Sequence, residues 1–209
     1  MKTIIFDFDG TMADSFAVIV SIIGRITGRG SFEEKELNDF KERTLIEIAK
    51  RLEITKLKWP FLVAAGRKEM SKNLDKLELH EGIENIIKKL SKEKLNLVIL
   101  SSNSKKNIDK ILEKFKLSEY FNHVEGNVGL LSKSRAIQSF LKKEEINHND
   151  VIYIGDEARD AIAASKVGIK FIGVSWGFNS RKMLAKYPNY ALVDNTSELD
   201  QNLQNWIKA

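Results

Sequence analysis

The chain contains no cysteine. Disulfides, a thiolate nucleophile and cysteine-based zinc sites are therefore excluded. Its three histidines, His80, His123 and His148, show no metal-ligand spacing. No apolar run approaches the length of a membrane span. The N-terminus, with one lysine and then a run ending in charge, lacks the pattern of a signal peptide. A cytoplasmic location with no membrane partner is expected. The net charge of +5 is not gathered into an arm, because the lysines are scattered among many acids. A solvated basic surface is the expectation, with no nucleic-acid partner. Such a mild field still attracts anionic metabolites. There are no internal repeats or low-complexity tracts. A hydrophobic share of 43% and a charged share of 30% fit a globular protein with one medium domain, or a core with a smaller insertion.

What the chain does have is an abrupt junction near its start. Thr3 to Phe6 is a short, bulky, apolar run, as suits a strand buried on both faces of a parallel sheet. It ends in Asp7-Phe8-Asp9-Gly10-Thr11. Residues two apart on an extended chain point the same way, so both carboxylates are placed to face one crevice. Ligands of open α/β sheets bind at that strand edge. Two such acids repel unless a divalent cation lies between them, and oxygen ligands suit Mg²⁺. Gly10 allows a sharp turn and frees amides to approach an anion. The plainer alternative is one Asp capping the next helix and one solvated Asp.

The same junction recurs at Val151-Ile152-Tyr153-Ile154-Gly155-Asp156. Asp156 falls at the sheet edge of Asp7 if the strands are parallel. Asp160, four residues on, falls one helical turn above it. A third strand, Leu95 to Leu100, ends in Ser101-Ser102-Asn103-Ser104, which offers donors to a phosphate where a helix begins. Capping of that helix by Ser102 or Ser104 is compatible with this role.

Between residues 15 and 79 the pattern is all-helical. Ser15 to Ile26 forms one helix. Ser31 to Glu34 reads as a capping box, and Thr44 to Glu47 as a second that starts a helix through about Leu52. Pro60 suits the first turn of a helix running to about Leu77. From Gly82 onward helices and strands alternate, which argues for a doubly wound parallel sheet. The expected fold is α/β: a Rossmann-like core of residues 1–14 and 80–209, with a helical insert at 15–79. Trp59, Trp176 and the phenylalanines are expected in the core.

The stretch Asp7 to Ser15 resembles the first motif of the haloacid dehalogenase superfamily, specifically of its phosphatases. Met12 stands where that family usually has another apolar residue such as Leu. Ser102-Asn103-Ser104-Lys105 resembles the second motif, Lys133 at a helix start the third, and Gly155-Asp156 with Asp160 the fourth. The helical insert is similar to the family's small C1 cap, and phosphoglycolate phosphatases are the similar enzymes. The resemblance implies Asp7 as nucleophile and Asp9 as general acid–base. It implies Gly10, Thr11, Ser102, Asn103 and Lys133 on the phosphate, with Ser101 an alternative to Ser102. It implies Mg²⁺ held by Asp7, Asp9 and Asp156, with Asp160 and Glu157 as lesser candidates. Lys41 and Arg43, between two cap helices, are candidates for substrate specificity. The implied partner is a small phosphorylated metabolite, and the protein a monomer or homodimer. Related β-phosphoglucomutases carry a histidine where Ile19 stands, which makes a mutase the lesser alternative. A regulatory protein on this fold is the other, although both catalytic acids are kept here.

Overall fold

A computed structural model describes residues 1–209, apart from the side chain of Lys56. The sheet begins with β1 (Thr3–Phe6), β2 (Asn96–Leu100) and β3 (His123–Glu125). It continues with β4 (Val151–Gly155), β5 (Lys170–Val174) and β6 (Ala191–Val193). All six strands are parallel, in the order β3-β2-β1-β4-β5-β6. The chain builds outward from β1 on one side and then crosses back to β4 to build the other. The β1/β4 boundary is thus the switch point, where an open α/β sheet leaves a crevice at its C-terminal edge.

Side-chain alternation along β1 explains the two cores. Ile4 and Phe6 pack with Leu97, Ile99, Ile152 and Ile154 on one face. Ile5 packs with Val98, Leu100 and Tyr153 on the other. Four helices form the insert: α1 (Phe16–Thr27), α2 (Glu34–Lys41), α3 (Leu45–Arg51) and α4 (Trp59–Ser71). The first sheet face is covered by α5 (Ile83–Leu90), α6 (Lys105–Lys114) and α10 (Thr196–Lys208); the second by α7 (Lys133–Lys143) and α8 (Ala158–Val167). The short α9 (Arg181–Leu184) precedes β6.

Several local expectations need correction. Ser31 does not cap α2. Phe32 packs edge-on against Phe40 at 5.0 Å, and the helix starts only after it, with the Glu33 N–H donating to Glu36 Oε2 at 3.1 Å. Helix α4 stops at Ser71 rather than near Leu77. The Asn73 amide donates to the Glu69 carbonyl at 2.9 Å, and Leu74 and Leu77 turn inward. The Thr44 box forms as expected, with its hydroxyl accepting from the Glu47 N–H. Strand β3 has no counterpart in the sequence reading. Its three residues, His-Val-Glu, carry one apolar side chain and no usable alternation.

The two connections to the insert pair with each other. Asp14 N–H donates to the Glu78 carbonyl at 2.8 Å, and His80 N–H to the Met12 carbonyl at 2.9 Å. At its far side the insert takes in a side chain from the sheet domain. Phe178, in the loop after β5, joins Phe40, Ile48 and Leu52 and meets Phe16 edge-on at 5.4 Å. Phe178→Ala should lower the unfolding free energy by about 3–5 kcal/mol, the usual cost of deleting a buried phenyl ring. Urea denaturation measures this, and a loss below about 1 kcal/mol would show that the ring does not tie the two parts together.

Candidate active site

The loop after β1 is built around Asp156. Asp7 keeps one more bond to β4, its N–H donating to the Ile154 carbonyl at 2.9 Å. Phe8 then turns into the core, and Met12 and Ala13 donate back to its carbonyl. Gly10 adopts a φ of +76°, and a Cβ there would lie 2.2 Å from Asp156 Oδ2. A Cβ on Gly177 would meet the same oxygen at 2.3 Å. Only two residues without side chains let backbone close around this carboxylate. Thr11 Oγ1 donates to Asp156 Oδ1 at 2.8 Å, and the Phe178 N–H to Oδ2 at 2.7 Å. Burial, together with the charges of Glu157, Asp7 and Asp160, holds the Asp156 pKa well above the carboxylate range.

Lys133 begins α7 and is only 2% exposed. Its Nζ donates to Asp160 Oδ1 at 2.5 Å and lies 2.8 Å from Asp7 Oδ2. Burial opposes its charge, but Asp160 and Asp7 outweigh burial and keep its pKa above the ordinary lysine value. The other Asp160 oxygen accepts the Glu157 N–H at 3.1 Å, which completes the first turn of α8. Asp7 Oδ1 accepts the Phe8 N–H at 2.8 Å. Asp7 Oδ2 is buried, and its one close polar neighbour is the Lys133 ammonium.

Asp7, Asp156 and Asp160 each present an oxygen within 4.8 Å of the others. One lysine does not balance three buried carboxyl groups, and a divalent cation fits that deficit. Glu157 is outside this group and pairs instead with Arg159 at 2.5 Å.

Asp9 sits half-buried at the mouth of the crevice, and Asn103 Nδ2 donates to its Oδ1 at 3.1 Å. Ser101 is fully buried and accepts the Asn103 N–H. Ser102 is the serine that lines the cavity under the insert. That cavity, of about 230 Å³, is floored by Asp9, Ser102 and Asn103. Gly10 lies beneath it with its N–H given to Ala13 O and Ser15 Oγ.

Two arginines that the sequence reading does not single out converge on Ser102. Arg159 donates to its hydroxyl at 3.3 Å, and Arg67, from α4, to its carbonyl at 2.8 Å. The position of Arg159 between Glu157 and Asp160 was the available signal; Arg67 is one cation among many in the insert. Lys41 and Arg43 do not line the cavity. Asp39 holds the Arg43 guanidinium through two bonds of 2.7 Å, and Lys41 lies over the Phe16 ring. Their carbonyls both accept from Asn179 Nδ2, so this connection docks on the loop after β5. Trp59, expected in the core, is half-buried and lines the cavity. Trp176 is half-buried against the main core, its Nε1 donating to the Thr11 carbonyl.

Residues 4–174 match the family model of the haloacid dehalogenase-like hydrolases. The chain is 33% identical over 205 residues to phosphoglycolate phosphatase of Synechococcus elongatus, covering 96% of both. It is 25% identical to the pyrophosphatase PpaX of Halalkalibacterium halodurans, again covering 96% of both. A haloacid dehalogenase-like family hydrolase from Streptococcus pneumoniae shares the fold, with a TM-score of 0.78, 21% identity and coverage of 98% and 99%.

Asp9 gives the site a pH signature. Burial, then the charge on Asp7, raises its pKa from 3.8 to about 7. Between those values the folded chain binds a proton that the unfolded chain has lost. The associated stability is fully present below pH 3.8 and is lost as pH rises to about 7. In metal-free buffer, the unfolding free energy of Asp9→Asn minus that of wild type should grow across this window and level off above it. A pH-independent difference would contradict the assignment.

Proposed function

The chain belongs to the haloacid dehalogenase-like hydrolase family and is an enzyme of the phosphatase kind, and on that premise we propose that it hydrolyses a small phosphorylated metabolite, of the phosphoglycolate kind, through a phosphoryl group carried on Asp7. The observation that carries this reading is the buried Asp7 carboxylate, whose Oδ2 lies 2.8 Å from the Lys133 ammonium and accepts no backbone donor. A carboxylate oxygen faced by one cation has lone pairs for an electrophile, and the same cation can pair with the phosphoryl oxygens.

Asp7 Oδ2 attacks phosphorus in line with the leaving oxygen. The Lys133 ammonium and the Ser102 hydroxyl bind phosphoryl oxygens, and Arg159, paired with Glu157, positions Ser102 through its 3.3 Å bond to the hydroxyl. Asp160 keeps the ammonium in place, and Thr11 does the same for Asp156. The backbone at Gly10 and Thr11 shapes the turn that faces the phosphate. Asp9, with a pKa of about 7, protonates the leaving oxygen at neutral pH. The same carboxylate then takes a proton from the water that splits phosphoryl-Asp7. Asn103 orients it through the 3.1 Å bond. Asp7 and Asp156, with the backbone carbonyl of Asp9, would hold Mg²⁺. When bound, Mg²⁺ supplies the positive charge that offsets the meeting of two anions. The helical insert acts as the cap, which excludes bulk water from the cavity. Ile19 lines that cavity, and an aliphatic side chain there cannot serve the acid–base role of the mutases' histidine.

Asp7→Asn should retain the fold and lower kcat on p-nitrophenyl phosphate by at least about 10³-fold. Retention of a tenth of the wild-type kcat would remove Asp7 from the nucleophile role. EDTA should abolish turnover and Mg²⁺ restore it. Asp156→Ala should shift half-maximal activation to higher Mg²⁺ concentration, and an unshifted activation curve would exclude Asp156 from the metal site.

A further inference from the structure

The cavity under the insert has walls of one chemistry. Ile22, Ile23, Ile48, Leu62, Val63 and Met70 are among the apolar side chains that make up most of its lining. Its polar groups are gathered at the floor, around Asp9, Ser102 and Asn103. Two guanidinium groups reach that floor, and their charge balance differs. Arg159 has Glu157 at 2.5 Å, so that pair is neutral. Arg67 has a carbonyl, Ser102 O, and among the described residues no carboxylate pairs with it. Burial is also the sole influence on its pKa, which is lowered.

Arg67 is only partly buried, so its charge is solvated in the free protein and stays available to an anion that a ligand brings into the cavity. The transferred phosphoryl group already has Lys133 and Ser102 in the reading above. We propose that Arg67 is a specificity-determining residue, which pairs with a second anionic group on the leaving group of the phosphomonoester, either a carboxylate or a phosphate. The aliphatic walls complete the selection. A sugar hydroxyl buried against Ile22, Leu62 or Val63 loses water and gains no partner, and each such loss is discriminating. The substrate class is thus a compact, hydroxyl-poor phosphomonoester or phosphoanhydride with a second charge. This inference rests on the phosphatase reading.

The test compares wild type, Arg67→Met and Arg67→Lys with Mg²⁺ present. Methionine keeps much of the stem's packing and removes the charge; lysine keeps the charge and loses the fork. kcat/KM is measured for 2-phosphoglycolate, pyrophosphate, p-nitrophenyl phosphate and glucose 6-phosphate, with thermal denaturation to verify folding. Wild type should favour at least one doubly charged substrate over glucose 6-phosphate by about 10²-fold or more. Arg67→Met should lower kcat/KM for that substrate, relative to p-nitrophenyl phosphate, by at least about tenfold, mainly through KM. Arg67→Lys should recover part of the ratio. A fall confined to 2-phosphoglycolate identifies a carboxylate as the second anion, and one confined to pyrophosphate a phosphate. An unchanged ratio overturns the role of Arg67 while leaving the phosphatase reading standing. Absence of turnover of every phosphorylated compound by wild type overturns both.

Discussion

The constraint on which the rest of the structure depends is the burial of Lys133 between Asp7 and Asp160. A buried ammonium is tolerated only when paired, and removing one partner of such a pair costs about 3–5 kcal/mol. The requirement fixes three elements at once. Helix α7 must begin where its first side chain reaches β1. Helix α8 must present Asp160 from its first turn. The β1 strand must end so that Asp7 faces the crevice and Phe8 the core. Gly155 belongs to the same geometry, since a Cβ there would lie 2.6 Å from an Asp160 oxygen.

A second set of contacts joins this edge to the insert. Asn179 N–H donates to the Asp156 carbonyl, its Oδ1 accepts from the Ala158 N–H, and its Nδ2 reaches the carbonyls of Lys41 and Arg43. The neighbouring Phe178 holds Asp156 through its backbone and the insert through its ring. On the opposite side Arg67 bonds Ser102. The insert is thus fastened at two points to the segments that carry Asp156 and Ser102. Between those two points the insert and the sheet edge line a small, largely apolar cavity.

The fold was legible where the sequence pattern is long or sharply bounded. The apolar run before Asp7, its repeat before Asp156 and the alternation after Gly82 identify a parallel α/β sheet. Each places its acid at one edge by strand geometry alone. The insert's helices were legible from helical spacing and the Thr44 box, although the Ser31 box was displaced by Phe32 packing on Phe40. What was not legible depends on contacts distant in sequence. Strand β3 exists because β2 offers it an edge. Arg67 meets Ser102, and Asn179 meets Lys41, across separations that local spacing does not encode. Lys41 and Arg43 illustrate the converse. Their charge and position between helices indicated the site, but Asp39 four residues before Arg43 offered a nearer partner.

The central claim is that the phosphoryl group passes through Asp7 on its way to water. The stereochemical course at phosphorus tests this most directly, using a phosphorothioate ester made chiral at phosphorus by sulfur and two heavy oxygen isotopes, hydrolysed in ordinary water. Two successive in-line displacements, the first by Asp7 and the second by water, predict net retention of configuration in the released thiophosphate. Net inversion would mean that water attacks the substrate directly, and would contradict the account.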